Sequence, residues 1–257
     1  MSTINPIDIA ICAKNNERTI GECLRRVKTF GEPRRLIVID GESEDHTRNI
    51  ASEAGAEIHS DRGKGLGYAR DMAIEVVETP LFGYVDADAY ITPNWRSLLT
   101  HFHDQKVAAA NSVTLFGYGN PPLQRLHEWL ASSSKIDVTF ASTIVRKSAL
   151  QKVGGIRQDI MAYEDWELYQ RISHAGLKWI YDRSVVTLHP QTMRGYLTHA
   201  RRWGQGARKC GVSRSRFLRA FITSPYWAMR IARAAHPIHA FYYPLLRLSY
   251  LTGSLEA

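Results

Sequence analysis

The chain has 257 residues, 44% hydrophobic and 23% charged, with a net charge of +8. That length suits one large α/β domain or a domain with a short appendage, and the apolar fraction excludes global disorder. No apolar run reaches the roughly 18 residues needed to span a bilayer; the best candidate, residues 238–251, contains His239, Pro244 and Arg247.

In chain order, residues 7–13, 35–40, 56–60 and 81–85 read as strands, and residues 18–30, 46–54, 67–77 and 94–104 as the helices between them. Such alternation predicts an α/β fold with a mainly parallel sheet and helices on both faces. Ligands in such sheets bind beyond the carboxyl ends of the strands. From Val107 the regularity weakens. Residues 107–116 and 139–146 read as extended and 123–132 as a helix, followed by a helix over 163–175 and strands over 178–181 and 184–188. After Pro190 the pattern is helical, aromatic and basic to the end. Charge divides the same way: residues 1–190 carry 22 Lys/Arg and 24 Asp/Glu (−2), whereas residues 191–257 carry 11 Lys/Arg and only Glu256 as an acid (+10). A basic surface serving solubility alone would be spread out.

The three cysteines, Cys12, Cys23 and Cys210, are an odd number without metal-type spacing, which points to a reducing compartment with buried or inert thiols. The opening MSTINP has neither the basic nor the apolar region of a secretory leader.

Polar residues gather at the strand exits. Asp86-Ala87-Asp88 closes the apolar run LFGYV, and two carboxylates one residue apart suit a divalent hard cation that bridges a diphosphate; surface carboxylates are the plain alternative. Asp40 ends the second strand and suits hydrogen bonds to a base or ribose, while Ser43 and Asp45 fit a helix cap equally well. In GKGLGYARD at 63–71, glycines permit close backbone approach and Lys64 and Arg70 suit phosphate; a flexible turn reads the same way. MAYEDWELYQR opens a helix with Glu164 and Asp165, where the helix dipole favours acids in any case. A carboxylate there can take a proton from an acceptor hydroxyl, and Trp166 suits a sugar or lipid surface or the core. His189, after the strand VVTL, is a further candidate cation ligand or a structural histidine.

Taken in order, ICAKNNERTIGECL, VIDGESEDHT, GKGLGYARDMAI, YVDADAY, STIVRKSALQKVGGI, YEDWEL and VVTLHP resemble glycosyltransferase family 2. Each motif is weak alone; their order over roughly residues 5–210 is the signal. The resemblance implies a Rossmann-like GT-A catalytic domain over residues 1–210, with a basic, aromatic segment of amphipathic helices over 211–257. It implies that Ala13, Asn15, Glu17 and Asp40 hold the nucleoside, with Lys64, Arg70 and Ala87 near the donor. Asp86 and Asp88, with His189, would engage Mn²⁺ or Mg²⁺, and Asp165 would be the base of an inverting single displacement. Some family members carry Gln-X-X-Arg-Trp after the catalytic acid; here the stretch is HARRW, with His199 in place of Gln, while Arg202 and Trp203 remain to close over the donor.

The expected donor is GDP- or UDP-linked, with GDP-mannose first by analogy to lipid-directed relatives. The Glu164-Asp165 pair favours a hydroxyl acceptor on a lipid or lipid-linked sugar over a polyprenyl (dolichyl) phosphate, because a phosphate needs little general base. Arginines interleaved with aromatics over 214–247 suit an interfacial helix on anionic lipid, hence peripheral association with the cytoplasmic face of the membrane. The plain alternative is a helical pair packed on the catalytic domain. A nucleic-acid-binding protein is the alternative of a different class, since a pI of about 9.5 and a basic, aromatic tail suit phosphate backbones; no nucleic acid is the expected partner, because no binding module is present and the charge is confined to the tail. A nucleotidyltransferase would want a Gly-rich loop after the first strand, where this chain has AKNNE.

Overall fold

The computed structural model describes residues 6–133 and 137–257; the leader expectation rests mainly on residues 1–5, outside them. Strand β1 (Asp8–Ala13) is followed by α1 (Ile20–Arg26), which runs on as a π turn to Gly31. Then come β2 (Leu36–Asp40), α2 (Thr47–Glu53), β3 (Glu57–Ser60), α3 (Leu66–Val76) and β4 (Leu81–Asp86). A short β5 (Tyr90–Ile91) and a 3-10 helix, Trp95–His103, precede β6 (Val107–Tyr118), α4 (Pro121–Ser133), β7 (Ser142–Arg146) and α5 (Lys147–Lys152). The chain continues through α6 (Glu164–His174), β8 (Lys178–Pro190), α7 (Met193–Lys209), α8 (Arg214–Ile222), α9 (Ser224–Ala234) and α10 (His239–Leu255).

Among the described residues eight strands form one sheet, in the order β3-β2-β1-β4-β7-β6-β8-β5. The parallel pairing expected from the alternation covers β3-β2-β1-β4, whereas β4 with β7, β7 with β6 and β5 with β8 pair antiparallel. Central strands buried on both faces read as continuous apolar runs. Accordingly Ile9, Ile11 and Val38 pack on one face against Ile20, Leu24 and Trp95. Ala10, Ile37 and Ile39 pack on the other, against Ala69, Ala73 and Leu168.

Two strands expected at 178–181 and 184–188 are one strand, β8. The Asp182-Arg183-Ser184 segment reads as a turn by composition but lacks the Gly or Pro that would force one; Asp182 instead accepts from the Ser184 amide at 2.9 Å and pairs with His101 at 2.7 Å.

The chain forms two compact units: Met1–Thr114, Ile136–Asp159 and Asp165–Leu188 make the first, and Leu115–Lys135, Ile160–Glu164 and His189–Ala257 the second. The second is helical. α10 packs against α7, α8 and α9, around a core that includes Leu123, Leu126, Tyr196, Ile231 and Tyr242. Helices α7 and α10 meet at glycines: a Cβ on Gly204 would press on the Tyr250 carbonyl, and one on Gly253 on the Arg201 carbonyl. Among the described residues no helix is long and apolar enough to cross a membrane.

Candidate active site

The parallel registers align Ala13 with Asp40, Cys12 with Asp86 and Asp40 with Ser60, so these strand exits share one edge of the sheet. The loops after β1 and β2 are laced together. Asn15, with φ 53°, donates its amide to Ser43 Oγ at 3.0 Å, and its side chain accepts from the Glu44 amide at 2.9 Å. The Glu17 amide donates to Asp45 at 3.0 Å, while the Glu17 carboxylate accepts from the His46 amide at 3.2 Å. Asn15 and Glu17 therefore shape this corner through their own side chains. Of the two capping candidates, Asp45 accepts from the Thr47 amide at 2.9 Å, and Ser43 holds Asn15.

Asp40 is fully buried. Its Oδ2 accepts from the Ser43 amide at 3.1 Å and lies 3.8 Å from Arg48, but its Oδ1 has no hydrogen-bond partner among the described residues. A buried carboxylate oxygen left unsatisfied is costly, and an absent ligand group is one standard explanation.

The glycine loop is organised by Asp61, which sequence reasoning passed over. Its carboxylate accepts from the Gly63 amide at 2.7 Å and the Gly65 amide at 3.1 Å, and both glycines have positive φ. Lys64 is exposed at the tip and lies over the Tyr68 ring. Arg70 is buried on α3, its guanidinium over the Phe140 ring and Nη2 2.7 Å from Asp86 Oδ1. The Tyr84 hydroxyl donates to the Arg70 carbonyl at 2.5 Å.

Asp86 ends β4; its amide donates to the Ala141 carbonyl at 3.1 Å and its carbonyl accepts from the Ala89 amide at 2.9 Å, turning the chain so that Asp88 follows. Ala87 and Ala13 are buried in the core, so a ligand could meet only their backbone. The candidate ligand atoms of Asp86, Asp88 and His189 all lie within 4.8 Å of one another. His189 is buried near the end of β8, stacked on the Phe116 ring at 4.5 Å between centroids. Two carboxylates and an imidazole are a donor set that fits Mn²⁺ or Mg²⁺.

Asp165 lies in the first turn of α6 and accepts from the Trp166 amide at 2.8 Å. Burial pushes its carboxyl up to about 7; Arg70 and the Trp166 amide pull it down, while Asp137 and Asp86 add to the rise. Asp137, itself raised by burial, is a second acid of this region that no sequence motif signalled. Glu164, next to Asp165, is buried, and Trp166 packs beside Tyr169 at the edge of a core cluster. Tyr163, immediately before them, has φ 74°, a backbone that bulky residues rarely adopt and that concentrates at functional sites. On α7, Arg202 is exposed, whereas Trp203 is partly buried and stacks on His199 at 5.1 Å.

Residues 8–160 match the model of glycosyl transferase family 2. The chain belongs to that family. The sequence of this family 2 chain is 28% identical over 205 residues to a pre-mycofactocin glycosyltransferase of Mycobacterium tuberculosis, an alignment covering 71% of the chain and 42% of that relative. It is 24% identical over 186 residues to a teichoic acid poly(glycerol phosphate) polymerase of Staphylococcus epidermidis, covering 63% and 25%. The chain thus spans less than half the length of these curated relatives. Among solved structures, it resembles a mannosyltransferase from Pyrobaculum calidifontis in complex with GDP-Man and Mn²⁺, with a TM-score of 0.65, 19% identity and coverage of 96% of this chain and 70% of that one. Glucosyl-3-phosphoglycerate synthase from M. tuberculosis, in complex with Mn²⁺, UDP and phosphoglyceric acid, gives a TM-score of 0.59 at 18% identity, covering 81% and 79%. These likenesses show the GT-A fold.

Proposed function

We propose that this chain is an inverting, metal-dependent transferase. In this reading it moves a sugar, with mannose from GDP-mannose the first candidate, onto a hydroxyl of a lipid or lipid-linked acceptor at the cytoplasmic face of a membrane. The carrying observation is the gathering of Asp86, Asp88 and His189 into one possible ligand set. The GDP-Man and Mn²⁺ held by the Pyrobaculum structure, and the UDP and Mn²⁺ held by the mycobacterial one, support a nucleotide-sugar donor and a divalent cation.

When bound by Asp86, Asp88 and His189, Mn²⁺ or Mg²⁺ would neutralise charge on the departing diphosphate, the largest electrostatic demand of the reaction. Asp40, buried with one oxygen unpartnered, would accept from the nucleoside. Asn15 and Glu17 would keep that corner in shape, and exposed Lys64 and Arg202, with Trp203, would attract or cover the diphosphate. Arg70, pinned to Asp86, would hold that carboxylate in one orientation. Asp165 would remove the proton from the acceptor hydroxyl as it attacks the anomeric carbon, and a base titrating near neutrality suits that task. Glu164 and Trp166 would border the acceptor. The displacement should pass through an oxocarbenium-like state, as glycoside hydrolysis does.

The test is a thermal-shift panel of GDP-, UDP- and dTDP-sugars with and without Mn²⁺, run on the wild type and on Asp88→Asn. Stabilisation by one nucleotide class, dependent on Mn²⁺ and lost in the variant, is expected. Stabilisation by all nucleotides without metal, or by none, would overturn the proposal.

A further inference from the structure

Helix α10 is apolar on two opposite sides. Its inner side buries His239, Tyr242, Tyr243 and Leu246 against the neighbouring helices. Phe241, Leu245, Leu248 and Leu255 recur at three- and four-residue helical spacing on the outer side and are all exposed, Phe241 at 79%. A helix apolar all round is ordinarily covered all round. The helices beside it continue the pattern: Ile222 at the end of α8 and Tyr226 on α9 are 64% and 63% exposed. Exposed apolar groups on α10 and on the two helices packed against it suit an interaction surface.

Charge identifies the occupant. α8 and α9 carry Arg214, Arg216, Arg219, Arg230 and Arg233, all exposed and none in an ion pair among the described residues. The Arg230 guanidinium lies over the rings of Tyr226 and Trp227, 5.8 and 5.2 Å from their centroids, so charge and exposed aromatic surface adjoin, as suits a water–lipid boundary. Glu256, the sole acid after residue 190, is engaged by Arg201. A second copy on this face would crowd two sets of arginines with no acids between them. A nucleic acid would leave the Phe241 and Leu245 side chains against a polar backbone.

We infer that the outer side of α10, with the exposed ends of α8 and α9, is the surface through which this chain lies on an anionic lipid bilayer. Phe241, Leu245 and Leu248 enter the acyl boundary and the arginines of α8 and α9 meet the headgroups. The inference rests on the membrane-surface reading above and gives it a defined orientation.

Co-sedimentation of the full chain with phosphatidylglycerol or phosphatidylcholine vesicles, at low and high salt, tests it. Strong binding to phosphatidylglycerol, weakened by salt, is expected, with little binding to phosphatidylcholine. Arg230→Ala with Arg233→Ala should lower affinity about 25-fold, each cation near the surface contributing about fivefold. Phe241→Ser with Leu245→Ser should lower it on the order of tenfold or more; both sites are exposed, so an unchanged melting temperature is expected and verifies the fold. Equal binding of wild type and both variants overturns the inference. So does a stable dimer abolished by Phe241→Ser, or binding to duplex DNA with none to vesicles. Mn²⁺-dependent nucleotide binding without vesicles reads the donor site separately, so its survival when vesicle binding is absent would sink the membrane surface alone.

Discussion

Replacing Asp165 with Asn separates a catalytic base from a structural carboxylate, because the two roles predict opposite changes in stability. In the folded protein burial lifts this carboxyl from its ordinary 3.8 to about 7. Between those values the fold holds a proton that the unfolded chain releases, so wild-type stability falls as pH rises through that window and levels off above about 7. The full gap corresponds to about 4 kcal/mol at about 1.4 kcal/mol per pH unit. Discounted by half for solvent reaching a partly open side chain, about 2 kcal/mol remains. Asn keeps the oxygen that accepts from the Trp166 amide and never carries the charge. For a chain of this size that is a rise of roughly 4–8 °C in melting temperature at pH 8 in metal-free buffer, vanishing near pH 4. Transfer, followed as nucleoside diphosphate release dependent on acceptor, should fall about 10²- to 10⁴-fold with donor KM little changed. Full activity in the variant would refute the base assignment. Lost activity with a lowered melting temperature at pH 8 would make Asp165 a structural carboxylate.

Asp86→Asn and Asp88→Asn should each weaken Mn²⁺-dependent nucleotide binding by calorimetry, on the order of 100-fold, because each removes a charged oxygen ligand; undiminished binding would move the metal elsewhere. The wild-type kcat/KM should rise with pH through about 7 as Asp165 loses its proton, and a profile flat from pH 5 to 8 would contradict that. Arg70→Met should cost about 1–3 kcal/mol in urea unfolding, since it removes a buried cation from a carboxylate that is itself partly exposed. Gly204→Ala or Gly253→Ala should cost about 1–3 kcal/mol or more by forcing α7 and α10 apart, read as a lowered melting temperature.

The sheet's first half was legible because its signals are local. Period-2 burial on both faces gives apolar runs, and each run ends in the polar residue that the edge presents, as with Asp40 and Asp86. The second half was less so. β8 runs on through Asp182, whose carboxylate is paired with His101, 81 residues away, a long-range contact that local composition does not encode. Asp61 and Asp137 escaped for the same reason. Asp61 acts on amides supplied by a loop with unusual φ values, and Asp137 matters through its proximity to Asp165, which no spacing encodes. Motif order assigned Ala87 to the donor; its side chain lies in the core, which a two-residue interval between carboxylates does not encode, so a donor contact there would be made by the backbone.

Arg70 illustrates what the three-dimensional arrangement adds to a motif. Its family position implies a place near the base or diphosphate, and its buried guanidinium donates to Asp86. One cation thus serves two carboxyls unequally. Asp86 receives a direct hydrogen bond at 2.7 Å, whereas Asp165 feels the same charge only through space and forms no ion pair among the described residues. For Asp165 burial outweighs that attraction, and its carboxyl rises towards neutrality. Environments that treat two neighbouring acids differently are how a site divides anionic and proton-transfer roles between identical side chains. The arrangement suits the roles proposed above: Asp86 is held by Arg70 beside Asp88 and His189, and Asp165, its carboxyl raised by burial, is the proposed proton acceptor. Moving Arg70 from Asp86 to Asp165 would reverse it: Asp165 would become a permanent anion too weakly basic for the acceptor, and Asp86 would lose the contact that orients it.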